Sequence, residues 1–358
     1  MKIFLKILKW IAVSIGSLLA LLILAGLFCR LFGPEVQPPG KLVDVDGVKL
    51  HINCSGERSD EPTLVVEGGL GVPSDSYYWL SDGLKDRMRV VRYDRAGIVY
   101  SESNQSPRDA ETIARELHEL LEKSGETPPY ILAGHSMGGP LIRVFADLYP
   151  DEVVGLFFVD SSHPNQYQNS RTPEDSLARE TSMKRGLTVL ATLADMGLLT
   201  LYNKVAGPIL QFEGLPPEIN QRTICYSYNG DYPRAAMLEN EWINQVFKRA
   251  AETTDFGSIP IRVFTATQKG RKPTTEEEKK KSAERLARWV NLQKDIATLS
   301  TDGQQVNLDA HHNSIYTKKE NADVICQEVL RVVDKWKTQQ GKEQEPHSSS
   351  SRLVSVAK

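Results

Sequence analysis

The chain has 358 residues, of which 40% are hydrophobic and 25% are charged, and its formal net charge is −3 at pH 7. This composition is typical of a globular protein that is large enough to bury a substantial core. A net charge of −3 gives no support for nucleic-acid binding, which needs a clustered basic surface, so we expect no nucleic-acid partner.

The first 33 residues have the composition of a membrane span. No charged residue occurs from Trp10 through Cys29, and about 20 apolar residues suffice to cross a bilayer as a helix. A cleaved secretory signal is the alternative, but the apolar run exceeds the usual length of about 7–15 residues and lacks an Ala-x-Ala site. Three lysines precede the span, which predicts a cytoplasmic N-terminus and an extracytoplasmic remainder. We therefore expect an uncleaved signal anchor over residues 1–33 and a linker over residues 34–41.

Strand and helix patterns then alternate from residue 42 to residue 164, as in a mostly parallel sheet with helices on both faces. The predicted strands cover residues 42–45, 48–52, 64–66, 90–93, 130–133 and 154–159, and the predicted helices cover 76–85, 110–123 and 138–148.

The alternation stops after Asp160 for about a hundred residues, which predicts an inserted helical cap over residues 165–257. The core resumes over residues 258–338, with strands at 261–266 and 305–308 and helices at 285–299 and 322–336. Residues 339–358 are polar and serine-rich, so we expect a disordered tail there.

The most informative motif joins the strand at 130–133 to the helix at 138–148. It reads Gly134-His135-Ser136-Met137-Gly138, the pattern of a nucleophile elbow, in which a sharp strand-to-helix turn exposes the serine hydroxyl. Glycines before and after the serine allow the strained turn and a close backbone approach. Ser136 is therefore the candidate nucleophile, and the alternative is a serine in an ordinary tight turn.

From about residue 42 to residue 336 the chain resembles the α/β-hydrolase superfamily, in the branch with a cap after the sixth strand. The resemblance rests on five motifs in the family's order: Glu67-Gly68-Gly69-Leu70-Gly71, Tyr93-Asp94-Arg95-Ala96-Gly97, Gly134-His135-Ser136-Met137-Gly138-Gly139, Val159-Asp160-Ser161-Ser162-His163-Pro164 and Ala310-His311-His312-Asn313-Ser314-Ile315.

The resemblance implies a catalytic histidine in the loop after the last strand. We expect His312 to be this base, because relatives carry it a few residues before an apolar position such as Ile315, and His311 is the alternative. Histidine suits the role since its pKa lies close to working pH.

The orienting carboxylate of most relatives follows the strand after the cap, but here no acid occurs in that stretch until Glu276. We therefore expect the acid to be Asp160, at the end of the sixth strand, a position that some members of the superfamily use. The alternative is that Asp160 only caps the next segment and that the acid lies within residues 276–278 or is absent.

An oxyanion hole needs two preorganised N–H donors. The resemblance implies the backbone N–H of Met137 at the helix start and a second N–H from the glycine-rich loop after the third strand. Leu70 is the expected second donor, and Gly69 is the alternative.

Together these residues predict a membrane-anchored serine hydrolase that cleaves carboxylic esters, among them lipid or acyl esters, with neither a metal nor an organic cofactor. An aminopeptidase or amidase of the same fold is the enzymatic alternative, and a non-catalytic, membrane-tethered binding module is the alternative of another class. The expected partners are a small-molecule ester or lipid substrate and the membrane. Apolar cap residues suit either an acyl chain or packing of the cap's own core: Leu198, Leu199, Tyr202, Ile209, Leu210 and Phe212.

Overall fold

The structure is a computed structural model that describes residues 1–32, 37–104, 106–167, 173–223, 226, 229–268 and 273–344. Its described residues form one eight-stranded sheet in the order β1-β2-β4-β3-β5-β6-β7-β8. The strands are β1 Lys41–Val45, β2 Val48–Ser55, β3 Thr63–Glu67, β4 Val90–Asp94, β5 Tyr130–His135, β6 Val153–Val159, β7 Ile261–Ala266 and β8 Gly303–Leu308. β2 is antiparallel to β1 and β4, and every pair from β4 to β8 is parallel, which confirms the predicted mostly parallel sheet.

The central strands are buried on both faces, as their uninterrupted apolar sequences require. Successive side chains point to opposite faces of the sheet. Leu132 and Phe158 join the core on one face, together with residues of α3 and α4, whereas Ile131 and Phe157 join the core on the other face with residues of α2 and α11.

The helices on the two faces are α2 Tyr78–Leu84, α3 Ala110–Ser124, α4 Gly138–Leu148, α9 Glu276–Ala297, α10 Ser314–Thr317 and α11 Lys319–Gln344, with short 3-10 turns at Ser74–Tyr77 and Pro150–Glu152. α9 begins earlier than predicted because Thr275 and Glu278 form a capping box at its start. α11 extends to Gln344, so the first part of the expected disordered tail is helical. Residues 345–358 lie outside the described residues.

Between β6 and β7 the described residues form four helices, in the segment where the sequence predicts a helical cap: α5 Pro173–Asp195, α6 Leu198–Ala206, α7 Pro217–Arg222 and α8 Asp231–Glu252. Three residues that we expected to lie in a pocket or in the core of the cap are exposed instead. Tyr202, Ile209 and Leu210 are 51%, 43% and 40% exposed, so they line neither the interior of the cap nor an enclosed pocket. Tyr202 lies on α6, and Ile209 and Leu210 follow this helix in an irregular segment. Apolar character alone did not show that these side chains would face solvent.

The N-terminal helix α1 runs over Lys2–Phe32 and packs against α6. By length and composition it is the one helix of the described residues that could cross a membrane, and its apolar window is almost entirely uncovered by protein. Residue 33 of the expected anchor and residues 34–36 of the expected linker lie outside the described residues.

Candidate active site

Ser136 lies in the turn between β5 and α4, with a φ of +52°. This left-handed conformation is strained for a residue with a side chain and persists only where the surroundings enforce it. Two glycines make the turn possible. A Cβ on Gly134 would lie 2.4 Å from the carbonyl oxygen of Gly138, and a Cβ on Gly138 would lie 2.3 Å from that of Glu67. The Ser136 side chain is consequently held at the carboxyl edge of the sheet, where it is partly exposed.

The backbone of Ser136 is tied to the end of β6. Its N–H donates to the carbonyl of Val159 at 3.3 Å, and its carbonyl accepts from the N–H of Ser162 at 2.8 Å. The elbow and the loop that carries Asp160 therefore form one hydrogen-bonded unit.

Asp160 and His312 meet beside this unit. The Nδ1 atom of His312 lies 2.6 Å from Oδ2 of Asp160, and the two side chains are 47% and 2% exposed, respectively. The other carboxylate oxygen of Asp160 accepts from the N–H of Ala266 at 3.0 Å and from the indole N–H of Trp289 at 2.7 Å. Because the partners of Oδ1 can only donate, the carboxylate serves as an acceptor, and we assign the Nδ1 proton to His312. This tautomer leaves Nε2 of His312 free to accept a proton.

The alternative residues are placed differently. The N–H of His311 donates to Ser314 Oγ at 2.8 Å, while its side chain is exposed and makes no hydrogen bond with the described residues. Glu276 and Glu277 pair with lysines on α9, and Glu278 belongs to the capping box. The geometry brings His312 to Asp160, and these other groups have different partners or none among the described residues.

His135, the residue before Ser136, links the elbow to the loop of His312. Its Nε2 lies 3.1 Å from the backbone carbonyl of His312, and its Nδ1 lies 3.1 Å from the hydroxyl of Tyr77. Burial lowers the pKa of His135 well below its ordinary value, and the neighbouring His312 lowers it further. A neutral ring therefore donates from Nε2 to the carbonyl and accepts the Tyr77 proton at Nδ1. The sequence indicated only packing for His135, because nothing in the motif identifies its partners.

Within the part of the chain that the structure describes, Ser136 Oγ and His312 Nε2 are not hydrogen-bonded to each other. Their elements are nevertheless adjacent, since the rings of His135 and His312 have centroids 4.5 Å apart. Catalytic hydrogen bonds are often long in unliganded enzymes and shorten when substrate binds.

The backbone of the loop after β3 approaches Ser136. A Cβ placed on Gly69 would lie 3.2 Å from Cβ of Ser136. The N–H of Gly69 is already engaged, because it donates to the Tyr77 hydroxyl at 2.9 Å. Among the described residues the N–H groups of Leu70 and Met137 donate no hydrogen bond, so they are available to an incoming oxyanion. The geometry favours Leu70 over Gly69 as the second donor.

Arg95, which follows β4, fixes the orientation of this loop. Its guanidinium donates to the carbonyl of Gly68 at 2.8 Å and to that of Gly69 at 2.6 Å. In a trans peptide the carbonyl and the following N–H point in opposite directions. Binding of the Gly69 carbonyl therefore turns the N–H of Leu70 away from Arg95.

Two buried glutamates hold Arg95 in place. Glu67 at the end of β3 accepts from the guanidinium, and Glu239 of α8 accepts two further hydrogen bonds at 2.6 and 2.9 Å. Glu239 also accepts from the N–H of Gly71 at 2.8 Å. Burial alone would lower the pKa of Arg95, but the two carboxylates raise it well above its ordinary value. The sequence did not reveal Glu239, which lies in the cap and is 144 residues from its partner.

Comparison with known proteins agrees with this architecture. The family model described as alpha/beta hydrolase fold matches residues 62–206. A solved structure of the enol-lactonase from Burkholderia xenovorans superposes with a TM-score of 0.54 at 19% identity, covering 82% of this chain and all of that one. The chain has the α/β-hydrolase fold.

This chain spans about half the length of two curated relatives that it matches. The uncharacterised protein YbdG of Bacillus subtilis is 30% identical over 172 residues, which are 47% of this chain and 53% of YbdG. The human (lyso)-N-acylphosphatidylethanolamine lipase is 30% identical over 161 residues, which are 44% of this chain and 45% of the lipase. Across the described ranges, no group of three or more His, Cys, Asp or Glu side chains is arranged to hold a metal ion.

Proposed function

We propose that this α/β hydrolase is a membrane-anchored serine hydrolase that cleaves carboxylic esters through an acyl-enzyme on Ser136. The observation that carries the proposal is the hydrogen bond between His312 and Asp160 beside a serine held at a φ of +52°. The unengaged N–H groups of Leu70 and Met137 supply the expected oxyanion donors.

In the first half-reaction Ser136 Oγ attacks the ester carbonyl carbon while its proton passes to Nε2 of His312. Asp160 stabilises the resulting imidazolium through Nδ1. The carbonyl oxygen becomes an oxyanion that accepts from Leu70 and Met137, and each such donor contributes on the order of 10²–10³ in kcat. When the tetrahedral intermediate collapses, the C–O bond to the alcohol breaks and His312 protonates the leaving alkoxide.

The second half-reaction removes the acyl group. A water molecule loses a proton to His312 and attacks the acyl carbon. The oxyanion of the second tetrahedral intermediate accepts from the same two backbone N–H groups. Its collapse breaks the bond to Ser136 Oγ, which regains the proton from His312. The products are a carboxylic acid and the free enzyme.

We also propose that α1 anchors the protein, with its lysine-rich end cytoplasmic and the catalytic part on the other side of the membrane. A lipid or acyl ester is the proposed substrate, since a membrane-bound hydrolase encounters such esters directly. The name of the human relative, a lipase acting on N-acylphosphatidylethanolamine, is consistent with that class. Protease treatment of sealed vesicles tests the orientation, because only an exposed catalytic part will be digested.

A fluorophosphonate probe tests the nucleophile. We expect it to label the full-length protein, Ser136→Ala to abolish labelling, and Ser59→Ala, a change at an exposed serine, to leave labelling intact. Absence of labelling in well-folded wild-type protein would favour a non-catalytic binding module.

The type of bond that is cleaved can be identified by comparing the hydrolysis rates of two classes of substrate. p-Nitrophenyl esters of increasing chain length should be hydrolysed faster than aminoacyl anilides, and longer chains should be preferred if the substrate is a lipid. Faster cleavage of the anilides would instead indicate an aminopeptidase or amidase.

A further inference from the structure

One stretch of the cap carries an exposed apolar surface. Among the described residues after α1, the exposed large hydrophobic side chains lie in this stretch with the single exception of Leu42. We call this stretch the cap surface; it consists of Val189, Leu190, Met196, Tyr202, Val205, Ile209 and Leu210. Val205 is 81% exposed, although burying such a side chain is favourable. Seven exposed apolar side chains within one segment, residues 189–210, indicate an interaction surface.

The cap surface is continuous with α1. Gly26 of α1 and Gly197 at the start of α6 touch through their backbones, since a Cβ on either glycine would lie within 2.6 Å of the other's carbonyl carbon. The guanidinium of Arg30 donates to the carbonyl of Asp195 at 3.1 Å. The end of α1 is therefore fixed beside the residues that form the cap surface.

The position of the Gly26–Gly197 contact along α1 determines how deep this contact lies in a membrane that α1 crosses. The charge-free part of α1 ends at Cys29, and Gly26 lies four residues before Arg30, or about 6 Å along a helix. Amphipathic elements that lie in a membrane interface bury their apolar face by about 5–10 Å. If Arg30 lies at the headgroups, Gly197 and the neighbouring side chains lie at the boundary between headgroups and acyl chains.

We propose that the cap surface binds the phospholipid bilayer in which α1 is anchored. The inference rests on the proposed anchoring by α1 but not on the direction in which α1 crosses. Lys204, an exposed basic residue next to Val205, is placed to reach lipid phosphates.

The cap surface is also connected by a short segment to the residues that follow the loop of His312. Ile209 and Leu210 precede Glu213, whose carbonyl accepts from Thr317 Oγ1 at 2.7 Å and whose carboxylate pairs with Lys318. These partners follow the loop of His312 through α10. A cap in contact with lipid would therefore present the rim of the active site to esters that lie in the bilayer.

Photo-crosslinking of the full-length chain in phosphatidylcholine nanodiscs tests the proposal. p-Benzoylphenylalanine is placed at position 205, at position 42 as an exposed apolar control, or at position 18 within α1, and adducts are identified by mass spectrometry. We expect lipid adducts at positions 205 and 18 and none at position 42. These positions are exposed, so the substitutions leave the core intact.

The outcomes separate the two proposals. A lipid adduct at position 18 without one at position 205 would overturn the cap surface and leave the anchor in place. Adducts at neither position would overturn both, and an adduct at position 205 alone would refute the anchor and, with it, the proposal that the cap surface binds the bilayer in which α1 is anchored. A crosslinked product of twice the chain mass at position 205 would show that a second copy of the chain, and not lipid, contacts the cap surface. This result would overturn the proposal. Lipid adducts at position 42 equal to those at position 205 would also overturn the proposal.

Discussion

Replacing Arg95 by lysine tests whether its guanidinium orients the loop after β3, which carries the proposed oxyanion donor Leu70. Arg95 donates five hydrogen bonds, to Glu67, Gly68, Gly69 and, twice, Glu239. A lysine ammonium keeps the charge but has three donors on one atom, so at least two of the five bonds are lost.

The expected magnitude follows from the groups left without a donor. Each buried acceptor that loses its partner costs about 1–3 kcal/mol, so Arg95→Lys should destabilise the protein by about 2–6 kcal/mol. A carbonyl of Gly69 that is no longer held lets the following peptide rotate. Loss of one oxyanion donor lowers kcat by roughly 10²–10³, whereas KM should change little, because the donor acts mainly on the transition state.

The assay compares kcat, KM and urea unfolding for Arg95→Lys and Arg89→Lys. Arg89 is the matched control, because it also makes a forked pair with a glutamate, Glu126, and donates to a backbone carbonyl, that of Gly56. It lies just before β4, at the opposite end of this strand from Arg95. The control should lose stability without a comparable loss of kcat. If folded Arg95→Lys keeps the wild-type kcat, or if both variants lose kcat equally, Arg95 does not position the loop.

Three further predictions concern the proton relay, pH and the thiols. Asp160→Asn should lower kcat by about 10³–10⁴, whereas Glu276→Gln should leave it within about twofold; the reverse pattern would move the acid to α9. Burial alone would lower the pKa of His51, but the hydrogen bond and charge of Asp94 raise it above 6.5, so this stabilisation is complete below pH 6.5 and is lost as the pH rises through the folded-state pKa. Urea unfolding should therefore show the difference between wild type and His51→Gln shrinking with rising pH, and a constant difference would contradict the assignment. Burial raises the pKa of the Cys326 thiol to about 12, so iodoacetamide at about pH 8 should alkylate it only after unfolding; rapid alkylation of the native protein would refute this.

The sequence predicted those parts of the site whose geometry is local. The glycines around Ser136 are required by contacts within one turn, and the positions of the strands follow from short apolar runs. Asp160 could be proposed because the resemblance to the α/β-hydrolase superfamily offers this position for the acid and the stretch after β7 has no acid before Glu276. These inferences need no knowledge of how distant segments pack.

The contacts between distant segments could not be predicted. The pairing of Arg95 with Glu239 depends on how α8 rotates and docks over the sheet, and a helical pattern does not set that rotation. The exposure of Tyr202 and Leu210 was not foreseen either, because apolar character alone does not show which side chains a neighbouring segment will cover. Apolar periodicity placed the start of α9 at residue 285, because its first turns are almost entirely charged and show no such periodicity.

The position of Asp160 directly after β6 has a consequence for how this protein could vary. The side chain is held by the N–H of Ala266, the last residue of β7, and by Trp289, deep within α9. The connection between those two elements supplies none of the Asp160 hydrogen bonds among the described residues. Insertions or deletions in that connection should be tolerated as long as β7 and α9 keep their positions in the fold. The connection is therefore a suitable place to attach a reporter without disturbing turnover.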